Sequence, residues 1–327
     1  MSRPSPELVD SLRRFGLVDA HGALPPMTAL TGGVSSEIWR IDLPDGAVVA
    51  KRALARLRVA GDWTAPVERT QYEVAWMRRA QSICPGITPI VLAADDRAFV
   101  MSDLSGLAVW KEQLLAGQAD PATAVALGRA LAAIHGATAG DDEVRVEFDN
   151  ADVFAALRLD PYLAATARVH PDRAAELTMI RDQYLVNRRV LVHGDISPKN
   201  VLVGPSGPVV LDAECATWGD PAFDLAFCTT HLLLKCRAVP TATAEFLGCA
   251  AALAGSYTSG VTWEDPNAVE ARCAWLVGAL LLARVDGLSP VEYLGEPARA
   301  SVRESARALL RHPPSSLADL RSRWGTQ

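Results

Sequence analysis

The run Leu191–Leu202, with the letters LVHGDISPKNVL, constrains the fold more than any other part of the sequence. Apolar residues at its two ends predict short strands, and the polar stretch between them predicts a loop. The loop carries Asp195 and, five residues later, Asn200. A carboxylate can take the proton of an attacking hydroxyl, and an amide oxygen is a neutral ligand for a Mg²⁺ that also holds phosphate oxygens. The spacing is therefore typical of phosphoryl transfer, with Asp195 as the base and Asn200 as a metal ligand.

Two further carboxylates follow the next apolar stretch. Val209–Leu211 has the composition of a strand, and Asp212-Ala213-Glu214 comes directly after it. An isolated Asp-x-Glu is usually a solvated turn, but this one stands twelve residues after Asn200. If the chain stays extended here, residues two apart face the same way and both carboxylates point at one site. We therefore expect Asp212 and Glu214 to bind Mg²⁺.

The hydrophobic pattern divides the 327 residues into two regions. Residues 1–103 carry short runs of strand character, which predict a β-sheet domain. Its predicted strands lie at 37–43, 47–51, 90–93 and 98–101, and its predicted helices lie at 5–16 and 66–82. Residues 104–327 have helical periodicity and predict a larger helical domain. Its predicted helices cover 121–137, 151–189 with a break at Asp160-Pro161, and nearly all of the chain after Asp224, with breaks near residues 260, 287 and 290. The predicted fold class is α+β.

Composition and charge argue against several classes of protein. A net charge of -6 disfavours a nucleic-acid partner, which needs clustered Lys and Arg, and it fits either a cationic substrate or simple solubility. The most apolar run, Cys273–Ala283, is far shorter than the roughly 20 residues that span a bilayer. The N-terminal stretch has no apolar core of signal-peptide length, so we expect a cytoplasmic protein with no membrane partner. The six cysteines include no C-x-x-C pair and are expected to be reduced and mostly buried. The oligomeric state stays open.

Three motifs give the chain a resemblance to a known family. They are H-G-D-x-x-x-x-N at 193–200, L-D-A-E at 211–214 and G-D-P-A-F-D-L-A at 219–226. Together they resemble the aminoglycoside phosphotransferase and choline kinase superfamily, which has the two-lobed protein-kinase-like fold. The resemblance implies a kinase that uses ATP or GTP with Mg²⁺. It also implies a β-rich N-terminal lobe that binds the nucleotide and a mostly helical C-terminal lobe.

The resemblance carries over to individual residues of the C-terminal lobe. It implies that Asp195 is the catalytic base and that Asn200 and Asp212 bind Mg²⁺. It implies that Asp224 is a buried support of the active-site loops. His193 is similarly implied to hold the loop in place and not to act as a base.

The N-terminal lobe resembles the family's nucleotide-binding lobe. Residues 30–36 resemble a loop that covers the phosphates, Lys51 matches the lysine that contacts the α- and β-phosphates, and Glu73 on the following helix would pair with it. Residues 99–104 resemble the hinge whose backbone hydrogen-bonds adenine. The residues implied to bind the nucleotide are Gly32, Gly33, Ser35, Ser36, Lys51, Glu73, Met101, Ser102 and Asp103.

The motif spacing argues against a protein kinase. Only eleven residues separate Asp212 from Asp224, and no A-P-E sequence follows Asp212 within the span of an activation segment. We therefore expect a small molecule to accept the phosphate, with contacts from the helices after Asp224 and from residues 138–170. Lys199 either touches the γ-phosphate or is simply solvated.

The acceptor and one alternative function stay open. L-D-A-E and the string Lys51–Leu54 resemble methylthioribose kinase and favour a thioribose-like sugar, whereas G-D-P-A-F-D-L-A favours an aminoglycoside or other antibiotic. The glutamate of L-D-A-E also fits choline or another amino alcohol. Arg284 and Asp286 interrupt an apolar helix and are the candidate substrate contacts, although such a pair is often a helix cap or an ion pair. The alternative is a nucleotide-binding pseudokinase or scaffold, which would not need a base at Asp195.

Overall fold

A computed structural model describes residues 3–19, 23–30, 35–57 and 64–325 of the chain. The chain forms two compact units, Met1–Gly106 and Leu107–Gln327. The N-terminal unit is built on an antiparallel sheet, and the C-terminal unit is mostly helical. The predicted α+β fold class is confirmed.

The described part of the N-terminal unit contains five strands and two helices. The strands are β1 (Met27–Ala29), β2 (Ser36–Leu43), β3 (Gly46–Ala53), β4 (Val91–Ala94) and β5 (Ala98–Ser102), and the helices are α1 (Pro6–Arg14) and α2 (Arg69–Ile83). The strands pair antiparallel in the order β1-β2-β3-β5-β4. The turn from β2 to β3 uses Gly46 at a φ of 127°, a backbone conformation that glycine adopts without a steric penalty.

Helix α1 covers one face of this sheet. Leu8 and Leu12 lie one helical turn apart and are fully buried in a cluster with Trp39, Ile41 and Val100. Trp39 and Ile41 are two residues apart in β2 and therefore share a face of the sheet. Residues of the central strands β3 and β5 belong to the same buried cluster as α1, and β3 carries Lys51.

The C-terminal unit has short strands and many helices. The strands are β6 (Ala108–Val109), β7 (Val190–Val192), β8 (Val201–Gly204), β9 (Gly207–Val210) and β10 (Thr217–Gly219). The helices are α3 (Trp110–Leu115), α4 (Pro121–Thr138), α5 (Asp142–Glu147), α6 (Ala151–Phe154), a π-helix (Ala155–Ala164), α7 (Ala165–Val169), α8 (Ala174–Val186), α9 (Ala222–Ala238), α10 (Thr243–Thr258), α11 (Pro266–Asp286), α12 (Glu296–Arg311) and α13 (Leu317–Gly325). Single 3₁₀ turns lie at Pro171–Arg173, Pro198–Asn200 and Pro240–Ala242.

Two small antiparallel sheets hold the segment between β7 and β8. β7 pairs with β10, and β8 lies between β6 and β9. The fifteen residues from Ala222 to Cys236 of α9 are all buried, so this helix lies in the core of the C-terminal unit. Residues 193–200 are thus anchored at both ends by strand pairing.

The predicted helix break at Asp160-Pro161 is wrong. The chain runs through Pro161 as a π-helix, and the break comes at His170, directly before Pro171. A proline ring clashes with the preceding turn of an α-helix, and the wider π turn accommodates it. A residue that precedes proline is disfavoured in the helical region, and His170 accordingly has a φ of -122° and a ψ of 70°.

Two further features of the described residues bear on the sequence predictions. No described helix is long and apolar enough to cross a membrane. All six cysteines are free; five are buried and Cys84 is partly buried, which confirms the predicted thiols.

Candidate active site

Asp195 and Asn200 face each other across one tight loop. Asp195 is 2% exposed, and the amide nitrogen of Asn200 donates to its Oδ2 at 2.8 Å and to its carbonyl oxygen at 3.1 Å. The 3₁₀ turn closes when the backbone N–H of Asn200 donates to the carbonyl of Ser197 at 2.8 Å. Because the amide nitrogen of Asn200 is committed to Asp195, its Oδ1 points elsewhere and accepts no hydrogen bond from the described residues. That oxygen is of the type that binds Mg²⁺.

Gly194 makes the sharp entry into this loop possible. Its φ is 78°, a left-handed conformation that residues with a side chain rarely adopt. A Cβ at this position would lie 2.6 Å from the carbonyl oxygen of Cys215 and 2.9 Å from the ring of Phe154. Glycine is therefore required here both by the backbone and by the available space.

Two cations contact the carboxylate of Asp195. The guanidinium of Arg158 lies 2.9 Å from Oδ2 and also donates to the carbonyl of Gly194 at 2.7 Å, and the ammonium of Lys199 lies 3.1 Å from the same Oδ2. Arg158 is buried, whereas the Lys199 side chain is half exposed. Burial disfavours the charge of Arg158, but the carboxylates of Asp195 and Glu214 hold its pKa above the ordinary value.

Sequence reasoning missed Arg158. It lies on the π-helix within the apolar run Phe154–Leu159, and an arginine in such a run was the available signal. Its position on that helix places the guanidinium against the loop of Asp195. Arg158 is thus a positioning residue for the candidate base.

The assumption that the chain is extended at Asp212 is wrong. Asp212 has a φ of 67°, and a turn follows in which the N–H of Ala216 donates to the carbonyl of Ala213 at 3.0 Å. Aspartate is one of the few residues with a side chain that tolerates this left-handed conformation. The charge of Asp212 acts on Lys199 and that of Glu214 acts on Arg158, so both carboxylates lie within electrostatic range of the loop.

The donor set near the loop suits a metal that keeps other ligands. Among the described residues, no group of three or more His, Cys, Asp and Glu side chains is arranged to hold a metal ion. Mg²⁺ is usually bound by one or two carboxylates together with substrate phosphates and waters. The free Oδ1 of Asn200 and the carboxylate of Asp212 fit that pattern.

Asp224 holds the backbone of the loop that carries Asp195. Its carboxylate accepts the backbone N–H of His193 at 2.7 Å and that of Gly194 at 2.8 Å, and it lies 3.2 Å from Nε2 of His135. Complete burial tends to raise the pKa of Asp224, but the hydrogen bond and charge of His135 hold it below the ordinary value. The carboxylate is therefore kept ionised as the acceptor for the loop's backbone.

His193 connects the loop to Leu211, the residue directly before Asp212. Its Nδ1 accepts the backbone N–H of Asp195 at 3.1 Å, which places the ring proton on Nε2, and Nε2 donates to the carbonyl of Leu211 at 3.1 Å. Burial lowers the pKa of His193, so the ring stays neutral. Both ring nitrogens are thus engaged in holding the loop.

The N-terminal unit contains a buried ion pair. The ammonium of Lys51 on β3 lies 2.7 Å from Oε1 of Glu73 on α2, and both side chains are 4% exposed. Ser35 and Ser36 are also buried, and the hydroxyl of Ser36 has no hydrogen-bond partner among the described residues. Gly32 and Gly33 lie outside the described residues.

The predicted hinge residues lie at the end of β5. Met101 and Ser102 pair with β3, and the hydroxyl of Ser102 accepts the backbone N–H of Ile90 at 3.0 Å. Asp103 accepts from Arg40 at 2.9 Å, and although partial burial tends to raise its pKa, Arg40 holds it below the ordinary value. The carboxylate of Asp103 is therefore occupied by the N-terminal unit itself.

Arg284 and Asp286 take part in separate networks. Arg284 is 8% exposed and its guanidinium donates to the hydroxyl of Tyr162 at 3.2 Å; Tyr162 in turn packs against Arg158. Asp286 lies 2.8 Å from His170 and 2.7 Å from Arg303. The structure thus connects Arg284, but not Asp286, to the surroundings of Asp195.

Comparisons with known proteins show the family of the chain. A family model described as "Phosphotransferase enzyme family" matches residues 26–233. The methylthioribose kinase of Pectobacterium atrosepticum is 26% identical over 264 residues, which cover 72% of this chain and 66% of that protein. The chain thus spans just under two thirds of that relative.

Solved structures of two small-molecule kinases share the fold. An amicoumacin kinase superposes with a TM-score of 0.58 at 16% identity over 96% of this chain and 95% of that one. A choline/ethanolamine kinase family protein from Mesorhizobium loti superposes with a TM-score of 0.55 at 16% identity over 98% of this chain and 100% of that one. At these identities the likeness concerns the kinase-like fold alone.

Proposed function

The chain belongs to the phosphotransferase enzyme family of small-molecule kinases, and from that premise we propose that it transfers the γ-phosphate of ATP to a hydroxyl group of a small molecule. The observation that carries the proposal is the convergence of Arg158, Lys199 and Asn200 on one carboxylate oxygen of Asp195. A carboxylate held by one hydrogen bond and two ion pairs has a restricted orientation, which is what a base in phosphoryl transfer requires.

Asp195 is the proposed base. The acceptor hydroxyl attacks the γ-phosphorus, its oxygen forms the new P–O bond, and the bond from the γ-phosphorus to the bridging oxygen breaks to release ADP. The hydroxyl proton passes to Asp195. Because phosphoryl transfer has a loose transition state, the proton leaves late, and orientation of the hydroxyl matters more than a strongly basic carboxylate.

Asn200 and Asp212 are the proposed Mg²⁺ ligands, with Glu214 as a weaker third. The metal, when bound, neutralises charge on the phosphate oxygens. The free Oδ1 of Asn200 and the left-handed backbone at Asp212 support this assignment, since strained residues with a side chain concentrate at functional sites.

The N-terminal unit is the proposed nucleotide-binding domain. Lys51, oriented by Glu73, would contact the α- and β-phosphates, and the buried hydroxyl of Ser36 is available as a donor to phosphate. The backbone of Met101–Asp103 is the proposed adenine contact. The amicoumacin kinase was solved in complex with AMP-PNP and Ca²⁺, which supports an adenine nucleotide and a divalent metal for this chain.

The test is turnover of ATP with a panel of hydroxylated sugars, amino alcohols and antibiotics. At least one acceptor should stimulate ADP release in the wild type and none should do so in Asp195→Asn. Asp182→Asn, the same change at an exposed position on α8, is the matched control and should behave like the wild type. Nucleotide binding without acceptor-dependent turnover would instead favour the scaffold alternative.

A further inference from the structure

One face of α9 carries buried basic side chains. Phe227, His231 and Lys235 follow one another at intervals of four residues and therefore lie on the same face. Lys235 is 0% exposed and His231 is 5% exposed. Arg284 of α11, 8% exposed, belongs to the same region. We call His231, Lys235 and Arg284 the basic cluster.

The cluster has polar atoms that the protein itself does not satisfy. The ammonium of Lys235, Nε2 of His231 and Nε of Arg284 are buried and have no hydrogen-bond partner among the described residues. The ammonium of Lys235 lies 3.7 Å from the centre of the Tyr293 ring, and the hydroxyl of Tyr293 is also buried without a partner. Burying such polar atoms costs free energy unless something binds them.

Negative charge is scarce around the cluster. Neither Lys235 nor Arg284 has a carboxylate within ion-pair distance in the described part of the chain. The carboxylate that acts on Lys235 is that of Glu292, which is exposed and already paired with Lys111. The pKa of Lys235 is lowered to about 7, mainly by burial. Repulsion from Lys111 and Arg284 lowers it further, and attraction to Glu292 opposes the shift.

His231 is affected in the same way. The pKa of His231 lies well below its ordinary value, mainly because the ring is buried. The charges of Arg284 and Lys235 lower it further. An anion at the cluster would reverse both effects, since an opposite charge favours the protonated forms of His231 and Lys235.

A continuous set of contacts joins the cluster to Asp195. Arg284 donates to the hydroxyl of Tyr162 at 3.2 Å, and the Tyr162 ring lies 5.7 Å from the guanidinium of Arg158. The ring centre of Phe227 lies 5.7 Å from the guanidinium of Arg158 and 5.1 Å from the ring centre of His231, so Phe227 contacts both residues. At 1.5 Å of rise per residue, Lys235 lies roughly 12 Å along α9 from Phe227. The charge of Lys199, which pairs with Asp195, also acts on His231, so the cluster lies within electrostatic range of the Asp195 loop.

We propose that the phosphate acceptor carries an anionic group, a carboxylate or a phosphate, which binds Lys235 and Arg284 while its hydroxyl lies at Asp195. The proposal rests on the kinase function proposed above. His231 and Tyr293 provide further hydrogen bonds to the anion. A cationic antibiotic or amino alcohol is disfavoured, because its charge would lie beside Arg284 and the amine of Lys235, neither of which has a carboxylate at ion-pair distance in the described part of the chain. The acidic net charge of the whole chain is therefore a poor guide to its substrate.

The experiment compares matched ligands on the full chain. D-ribose 5-phosphate and D-ribose, and D-gluconate and D-glucitol, differ mainly in the anionic group, and choline serves as the cationic probe. Binding is measured by titration calorimetry without nucleotide. At least one anionic member should bind about 10- to 100-fold more tightly than its neutral partner, as expected for charge-assisted hydrogen bonds. Lys235→Met should remove that preference, and Lys235→Arg should retain part of it.

Arg237→Met is the matched control. Arg237 lies on the same helix and stacks on Trp324 with its guanidinium 4.5 Å from the ring centre, away from the cluster. This variant should keep the wild-type preference. Thermal unfolding of each variant checks that a loss of binding does not arise from a loss of fold.

The inference is overturned if no anionic probe binds more tightly than its neutral partner, if choline binds best, or if Lys235→Met leaves the preference unchanged. AMP-PNP titrations of the same proteins address the kinase function separately. Nucleotide should bind wild type and Lys235→Met alike. A chain that binds anionic probes but no nucleotide refutes the kinase function alone, and a chain that binds nucleotide but prefers neutral or cationic probes refutes the acceptor proposal alone.

Discussion

The carboxylate of Asp224 accepts the backbone N–H of Gly194 at 2.8 Å, one residue before the candidate base. The same carboxylate accepts the N–H of His193, so two consecutive backbone donors of the loop share one buried anion. Gly194 has a left-handed backbone that a side chain would block. The position of Asp195 is therefore set by a residue 29 positions later in the sequence that lies on a fully buried stretch of α9.

Replacement of Asp224 should disturb both stability and activity. Asp224→Asn places an amide donor against backbone N–H groups and removes a buried charge from its partners. We expect a loss of about 3 kcal/mol in the free energy of unfolding and a large fall in kcat. Urea unfolding and steady-state kinetics measure the two effects. An unchanged unfolding midpoint would show that the loop does not depend on this carboxylate.

Removal of the candidate base should affect chemistry alone. Asp195→Asn and Asp195→Ala should lower kcat by about 10²- to 10⁴-fold, the range for general-base catalysis, while ATP still binds. The reason is that Asp195 acts on the acceptor hydroxyl and not on the nucleotide. Rapid-quench turnover and nucleotide titration separate the two quantities. Near wild-type turnover in either variant would remove Asp195 from the mechanism.

Arg158 should act through the orientation of Asp195. Arg158→Met should lower kcat by about 10²-fold, as a small misplacement of a reacting group does, with little change in KM for ATP. Arg158→Lys keeps the charge and should recover part of the rate. Arg145→Met, at an exposed ion pair on α5, is the control. A purely structural role for Arg158 would show instead as equal losses in both variants that follow their loss of stability.

Replacement of the proposed metal ligands should change how activity and nucleotide binding depend on the Mg²⁺ concentration. Asp212→Ala should raise the Mg²⁺ concentration needed for half-maximal activity and weaken Mg²⁺-dependent nucleotide binding. Glu214→Ala should have a milder effect, because its charge acts on Arg158 and the turn after Asp212 changes its direction. Mg²⁺ titration of activity and of nucleotide binding checks both. Unchanged curves in the two variants would contradict the assignment.

Local sequence patterns predicted the fold class and the order of the site's elements because strands, loops and motif spacings are short-range features. They did not predict Arg158, since its contact with Asp195 joins residues 37 positions apart and depends on a π-helix that runs through a proline. They also grouped Arg284 with Asp286. Residues two apart on a helix point about 200° apart, so one pair cannot readily serve one site. Contacts distant in sequence and the sign of φ at Asp212 required the structure.

Lys235 should make the folded chain less stable at neutral pH than an uncharged side chain of similar size would at the same position. Its pKa falls from 10.5 to about 7 on folding, so between these values the unfolded chain holds a proton that the folded chain releases. Stability of the wild type therefore rises with pH across that window, and the full cost of the buried amine is present at pH 7 and below.

Lys235→Met removes this titration and should increase the free energy of unfolding by about 5 kcal/mol at pH 6, with a smaller gain at pH 9. Arg237→Met, on the same helix, should show no such dependence on pH, because arginine stays charged throughout. Urea unfolding of the three proteins at both pH values makes the comparison. A variant that is more stable but has lost its preference for anionic ligands would mean that Lys235 is kept at a cost to folding because it binds substrate. A Lys235→Met protein that is less stable than the wild type at pH 6 would mean that the ammonium has a structural partner, and the pH argument for a ligand site would fail.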